Sequence, residues 1–261
     1  MSQLIFSSKA KTLLLISIAS ILLFSSCENL SDPGQPEYNY SLFFNLKANS
    51  DKQKFYIYNI APLDEYQSGY LPEFDKYFVT DAEIQIESDG IIYSDFFVET
   101  DSQGVRYFTN NNIVIYPGIE YHLNVVIAED IITGTTFVPS DFELTYPAEN
   151  QTIHFINNKL EVDYTWTKSS NSFGYLLNVL YPFLYNGTPF NDNYILDQTV
   201  FDTTYFFDSI FEPVDTVYTT IAAFDGNYYN HLFEGKASSG IEGAYGYFGS
   251  SVYKRLKFII R

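Results

Sequence analysis

An all-β protein with two β-sandwiches in tandem is the fold this chain predicts, and three observations carry the expectation. Aromatic side chains make up 19% of the 261 residues, with 24 Tyr and 24 Phe, and together with Val, Ile and Thr they suit a pleated, half-buried surface better than a helix. From Tyr40 onward, apolar and polar residues alternate with the period of a strand. Turn-forming pairs, Asp89-Gly90 and Pro117-Gly118 among them, break the alternation at short intervals.

The first stretch is of another kind. Lys9 and Lys11 precede an apolar run from Leu13 to Phe24, which ends in Ser25, Ser26 and Cys27, the only cysteine. That run is too short for a membrane-spanning helix, which takes about 20 apolar residues. It has the charged start, apolar middle and small-residue cleavage site of a secretory signal peptide, expected over residues 1–26. A cysteine immediately after the site resembles the lipobox of bacterial lipoproteins, with Phe24 where leucine is usual. The resemblance implies that Cys27 is acylated and becomes the first mature residue. Glu28, in place of Asp, implies sorting to the outer membrane, anchored by lipid and facing the periplasm or the cell surface. The competing reading is an ordinary signal peptide followed by an incidental thiol, a liability in an oxidising compartment.

Loss of residues 1–26 leaves 235 residues and takes the formal net charge from −18 to −20, because Lys9 and Lys11 leave with the signal. Such an acidic chain repels nucleic acid and anionic headgroups, so nucleic acid is excluded as a partner. Membrane attachment then falls to acyl chains, at about 0.8 kcal/mol per buried methylene. With the single cysteine lipidated no disulfide forms, and apolar packing must hold the fold.

Residues 27–38 are polar, with Pro33, Gly34 and Pro36, and read as a tether. The N-terminal sandwich is expected over residues 39–147. Ser41 to Ala48 and Lys54 to Ile60 form its first strand pair, followed by a long connection from Ala61 to Tyr77. Ile84 and Ile86 alternate with Glu83, Gln85 and Glu87, and Asp89-Gly90 suits a type I′ hairpin turn back into Ile91 to Glu99. Tyr121, Leu123, Val125 and Ile127 share one face of a later strand. The segments at Val79–Ala82, Thr100–Gly104 and Tyr116–Tyr121 resemble the carboxypeptidase-regulatory, transthyretin-like sandwich.

A boundary is expected at Tyr146 to Asn150, with a C-terminal sandwich over residues 148–261. There Leu160, Val162, Tyr164 and Trp166 alternate with polar residues, and Tyr175, Leu177 and Val179 follow on the next strand. A Trp-bearing strand before such a partner resembles fibronectin type III domains, where the Trp packs at the sandwich centre. Val217, Thr219, Ile221 and Ala223, then Leu256, Phe258 and Ile260, supply later core strands. Glycines at 235, 240, 243, 246 and 249 fit neither a P-loop nor a dinucleotide fingerprint. The stretch SGIEGAYGYFG resembles the C-terminal signature of a Bacteroidetes outer-membrane lipoprotein family with a domain of unknown function. That resemblance implies work beside a TonB-dependent receptor and supplies no catalytic residues.

No cofactor and no metal is expected. His122, His154 and His231 are the only histidines, none with a second ligand at metal spacing, and no G-x-S-x-G elbow occurs. The chain is therefore expected not to be an enzyme. A lipid-anchored envelope protein binding a ligand or partner protein is the leading function, a structural or adhesive spacer the second, and a glycan-active hydrolase the third. Candidate ligand contacts are Tyr66, Tyr70, Phe74 and Tyr77, aromatics set among Asp64, Glu65, Glu73 and Asp75, a mixture suited to glycan or peptide. The competing reading packs those rings on the sandwich to order the loop.

Overall fold

The alternating segments form strands in a computed structural model that describes residues 38–61, 74–154, 159–180, 191–196, 200–206 and 215–261. The signal segment, Cys27 and the tether up to residue 37 lie outside the described residues. In chain order the strands are β1 (Tyr40–Ala48), β2 (Phe55–Asn59), β3 (Glu83–Ser88), β4 (Ile91–Tyr93), β5 (Phe97–Thr100), β6 (Arg106–Thr109), β7 (Glu120–Ile127), β8 (Asp130–Phe137) and β9 (Leu144–Tyr146). They continue as β10 (Thr152–Ile153), β11 (Lys159–Trp166), β12 (Gly174–Leu180), β13 (Asn191–Leu196), β14 (Val200–Phe206), β15 (Asp215–Phe224), β16 (Ser238–Ser239), β17 (Ile241–Glu242) and β18 (Tyr245–Ile260). A 3-10 turn at Phe74–Tyr77 and one short helix, α1 (Gly226–Leu232), complete the described elements.

Side-chain period two decides the layers. In β7, Tyr121, Leu123, Val125 and Ile127 are buried while Glu120 and His122 face solvent, as the alternation predicts. Ile84 and Ile86 do the same in β3. Asp89 and Gly90 both take positive φ, 48° and 76°, which is the backbone of the expected type I′ turn between β3 and β4. These strands belong to a five-stranded sheet ordered β17-β8-β7-β3-β4. A ten-stranded sheet runs β13-β12-β15-β18-β1-β2-β6-β5, with β10 and β16 paired to β18 off that path. The third sheet is β14-β11-β9.

The tandem-sandwich pattern is present, with one departure from the expected boundary at 147/148. Strand β18 pairs in parallel with β1 from Ser41↔Tyr245 to Ala48↔Val252, and antiparallel with β15 from Asp215↔Ile260 to Phe224↔Ser251. Its first half therefore belongs with the N-terminal strands and its second half with the C-terminal ones. Ser238 to Val252, expected inside the C-terminal sandwich, lies instead on the first, and β17 pairs with β8 there. A close backbone approach permits it. At Gly246, φ is +103°, and a Cβ would lie 1.9 Å from the carbonyl oxygen of Leu42. Tyr38–Arg261 accordingly forms one compact unit with a continuous buried core.

The second sandwich closes around its tryptophan. Trp166 on β11 is buried and its ring lies 5.2 Å from Tyr175 on β12, so the two rings bridge the facing sheets. Tyr164 meets Phe258 edge-on at 6.2 Å. Aromatic pairs of this kind add about 0.5–1.5 kcal/mol each beyond the area they bury.

Candidate aromatic cleft on the first sandwich

The outer face of the ten-stranded sheet carries aromatic rings where solvent-facing polar residues are usual. In β1, Leu42 and Phe44 are fully buried, so the residue between them, Phe43, points the other way. In β2, Phe55 and Ile57 point inward and Tyr56 and Tyr58 outward. Register then sets Phe43 between Tyr56 on β2 and Tyr247 on β18, and sets Ser41 between Tyr58 and Tyr245. Phe43 lies 6.4 Å from Tyr58 and 6.2 Å from Tyr247, and Tyr245 meets Tyr38 edge-on at 5.1 Å. Burial raises the phenol pKa of Tyr58, with Tyr56 and Asp75 adding to the rise and Arg106 opposing it.

At one end of this face lies a cleft of about 500 Å³, lined by Ser41, Phe43, Tyr58, Asn59, Ile60, Ala61, Tyr77 and Tyr245. Its third wall is the 3-10 turn. Phe78, just after the turn, bridges to Tyr58 and stacks on Phe108 at 5.3 Å, while its ring meets Tyr58 edge-on at 5.9 Å. Val79 N donates to Ile57 O at 3.0 Å, and Asn59 Nδ2 donates to Tyr77 O at 3.3 Å. Arg106 on β6 pairs with Asp75 at 2.6 Å and lies 5.1 Å over the Phe78 ring. These contacts hold Tyr77 at the cleft.

Of the four sequence-derived ligand candidates, Tyr77 alone is placed at this cleft. Tyr66 and Tyr70 lie outside the described residues, and Phe74 opens the turn with its side chain likewise outside the description. The rings that join Tyr77, namely Phe43, Tyr58 and Tyr245, come from three strands that sequence spacing does not connect. One signal was available for two of them: in L-F-F at 42–44 and F-Y-I-Y at 55–58 a strand must turn every second ring outward.

The histidines do not converge. His122 is exposed, with Nε2 3.1 Å from Glu120 and Nδ1 3.3 Å from Thr135. His231 sits in the last turn of α1, its Nδ1 2.9 Å from Lys236 O, beside the rings of Phe43 and Tyr247, and His154 is exposed. Among the described residues no group of three or more His, Cys, Asp or Glu could hold a metal ion. No described helix is long and apolar enough to cross a membrane. A second recess of about 580 Å³ lies over the outer face of β7, β8 and β17, where His122, Thr135 and Glu242 are among its lining residues. It is the more open of the two, and among the described residues no aromatic ring other than the imidazole lines it.

Among the described residues one acidic side chain is buried, and it stands apart from the cleft. Asp225, 5% exposed, caps α1 by accepting from Tyr228 N at 2.9 Å, and Thr136 Oγ1 donates to its other oxygen. Burial holds its carboxyl above the ordinary range, against the lowering effect of those hydrogen bonds. Its oxygens are all engaged in joining β8, α1 and β18, which is a structural task.

No protein-family model matches the chain, and no curated protein sequence matches it. Among solved structures, a titin fragment, A168169, is 8% identical with a TM-score of 0.24, covering 86% of this chain and 98% of that one. The FN1–FN3 domains of chicken CNTN1 are 11% identical with a TM-score of 0.24, covering 85% of this chain and 69% of that one.

Proposed function

We propose that this chain is a lipid-anchored binding protein of the bacterial outer envelope, tethered through Cys27 and holding its ligand at the aromatic cleft of the first sandwich. The cleft carries the reading: Phe43, Tyr58, Tyr77 and Tyr245 line a recess of about 500 Å³ on the outward face of β1, β2 and β18. Small-molecule sites are concave, mostly apolar and aromatic, and lie in the range of about 300–1,000 Å³. The signal-like segment and the lipobox-like cysteine support the anchor, and the polar residues 28–37 supply a spacer between lipid and fold. The family resemblance of the C-terminal segment supports an accessory place beside a TonB-dependent receptor. Binding without catalysis is the role this reading assigns.

A spacer role is the second reading. The continuous ten-stranded sheet favours it, because β18 stiffens the join between the two sandwiches.

Fractionation of cells carrying Cys27→Ser tests the anchor. The expected result is loss of the protein from the membrane fraction, together with loss of the acyl mass that the wild-type mature chain carries on Cys27. Retention in the membrane with unchanged mass would contradict it.

A further inference from the structure

We propose that the fold is a load-bearing link, in which β1 and β18 form a shear clamp that carries tension from the anchor to the second sandwich. The inference deepens the spacer reading above and rests on attachment through Cys27. The described chain enters the fold at Tyr38 and becomes β1, which is no edge strand: it lies between β18 and β2 in the ten-stranded sheet. Its pairing with β18 is parallel over eight residue pairs, from Ser41↔Tyr245 to Ala48↔Val252. Past those pairs β18 continues unbroken to Ile260, where it pairs with β15 of the second sandwich.

The shared direction of the two strands decides how they meet a pull. An anchor drawing on β1 at Tyr40 and a load drawing on β18 at Ile260 act at opposite ends of one ladder. Hydrogen bonds loaded that way share the force and must give way together, whereas bonds loaded from one end break singly. Forced unfolding is governed by the unfolding barrier, which is higher when the whole ladder must go at once. Side chains oppose sliding as well. Leu42, Phe44, Leu46 and Ala48 are fully buried, and a slip of one residue would turn all four outward. Phe44 lies 4.6 Å from Phe55 and 6.4 Å from Phe248, one ring on each flanking strand. Beyond the last pair with β2, Phe44↔Phe55, the buried amide of Gln53 continues that flank. It accepts from Lys47 N at 2.8 Å and donates to Lys47 O at 2.8 Å, clasping the far end of β1.

Single-molecule force spectroscopy of the full mature chain, left unacylated so that the Cys27 thiol serves as one handle, tests the clamp. The second handle is Arg261→Cys or Glu242→Cys, both at exposed positions. Arg261 follows the far end of β18 and loads the ladder in shear. Glu242 lies three residues before Tyr245, the partner of Ser41, so a pull there opens the same ladder pair by pair from the anchor end. The expected result, at equal loading rate, is a mean unfolding force at least twofold higher with the Arg261 handle. Gln53→Ala, shown folded by thermal melting, is expected to lower that force and to leave the Glu242 pull unchanged, because peeling starts at the other end of β1. Equal forces from the two handles, or a Gln53→Ala chain as strong as the parent in the Arg261 pull, would overturn the proposal. These pulls need no lipid, so their failure is distinct from failure of the Cys27→Ser test of the anchor.

Discussion

Thr136 Oγ1 donates a 2.5 Å hydrogen bond to Asp225 Oδ2 across 89 residues of chain, joining β8 of the first sandwich to the residue that starts α1. Asp225 N donates to Ser250 O at 3.0 Å, and Ser250 Oγ donates to Phe137 O at 3.1 Å. One buried carboxylate thus fixes the C-terminal segment where it crosses onto the first sandwich.

Replacement of Asp225 by alanine is expected to lower stability by about 1–3 kcal/mol, since it removes an N-cap and the carboxylate acceptor of the buried Thr136 hydroxyl, which keeps only Ser250 Oγ at 3.0 Å. Urea denaturation of the full mature chain measures it. A midpoint equal to that of the wild type would show that the Thr136–Asp225 link does not hold the segment.

The same group sets a pH dependence. Burial raises the folded carboxyl above its ordinary value of 3.8. Between 3.8 and the folded value the native chain keeps a proton that the unfolded chain has lost, so this contribution is full below 3.8 and is lost as pH rises through the folded value. Asp225→Asn keeps a capping oxygen and removes the titration. Its stability against pH, followed from about pH 3 to pH 8, is expected to fall less steeply with rising pH than that of the wild type across this window. Parallel curves would contradict the assignment.

Trp166→Ala is expected to destabilise by about 3–5 kcal/mol, as large aromatic truncations in well-packed cores do. Trp166→Phe is expected to cost less, because the indole Nε1 is buried without a hydrogen-bond partner and its removal breaks no bond. Chemical denaturation followed by far-ultraviolet circular dichroism compares the two. Equal losses would mean that the indole nitrogen contributes in a way its surroundings do not show.

Much of this architecture was legible in local pattern. Alternation located Ile84, Ile86, Tyr121 to Ile127, Tyr164, Trp166 and Val217 to Ala223 on their buried faces, because period two is a property of the strand itself. Asp89-Gly90 reported its turn for the same local reason. The crossing of β18 was not legible, since parallel pairing of Tyr245 to Val252 with Ser41 to Ala48 joins residues some two hundred positions apart. Nothing in the glycine-rich run signals a strand, because glycine disfavours strands, whereas here Gly246 serves the close approach to Leu42. Helix α1 went unseen: seven residues, GNYYNHL, carry no helical periodicity and depend on the Asp225 cap. The cleft was half legible. Tyr77 stood out as an aromatic among carboxylates, while Phe43, Tyr58 and Tyr245 become neighbours only through sheet register.

The cleft and the fold both require β18 to belong to the two sandwiches at once, since it brings Tyr245 to the ligand face and Leu256 and Phe258 to the second core. Gly246→Ala tests that requirement most directly. Its Cβ would meet the Leu42 carbonyl at a φ of +103°, and a loss of at least about 2 kcal/mol is expected from strain and clash. Trp166 sits in the other sandwich and is the single tryptophan, so its fluorescence reports unfolding there. Urea unfolding of Gly246→Ala is expected to show one transition, with the Trp166 midpoint lowered in step with circular dichroism. A Trp166 midpoint left at its wild-type position, beside a separate earlier transition, would contradict a strand shared by both.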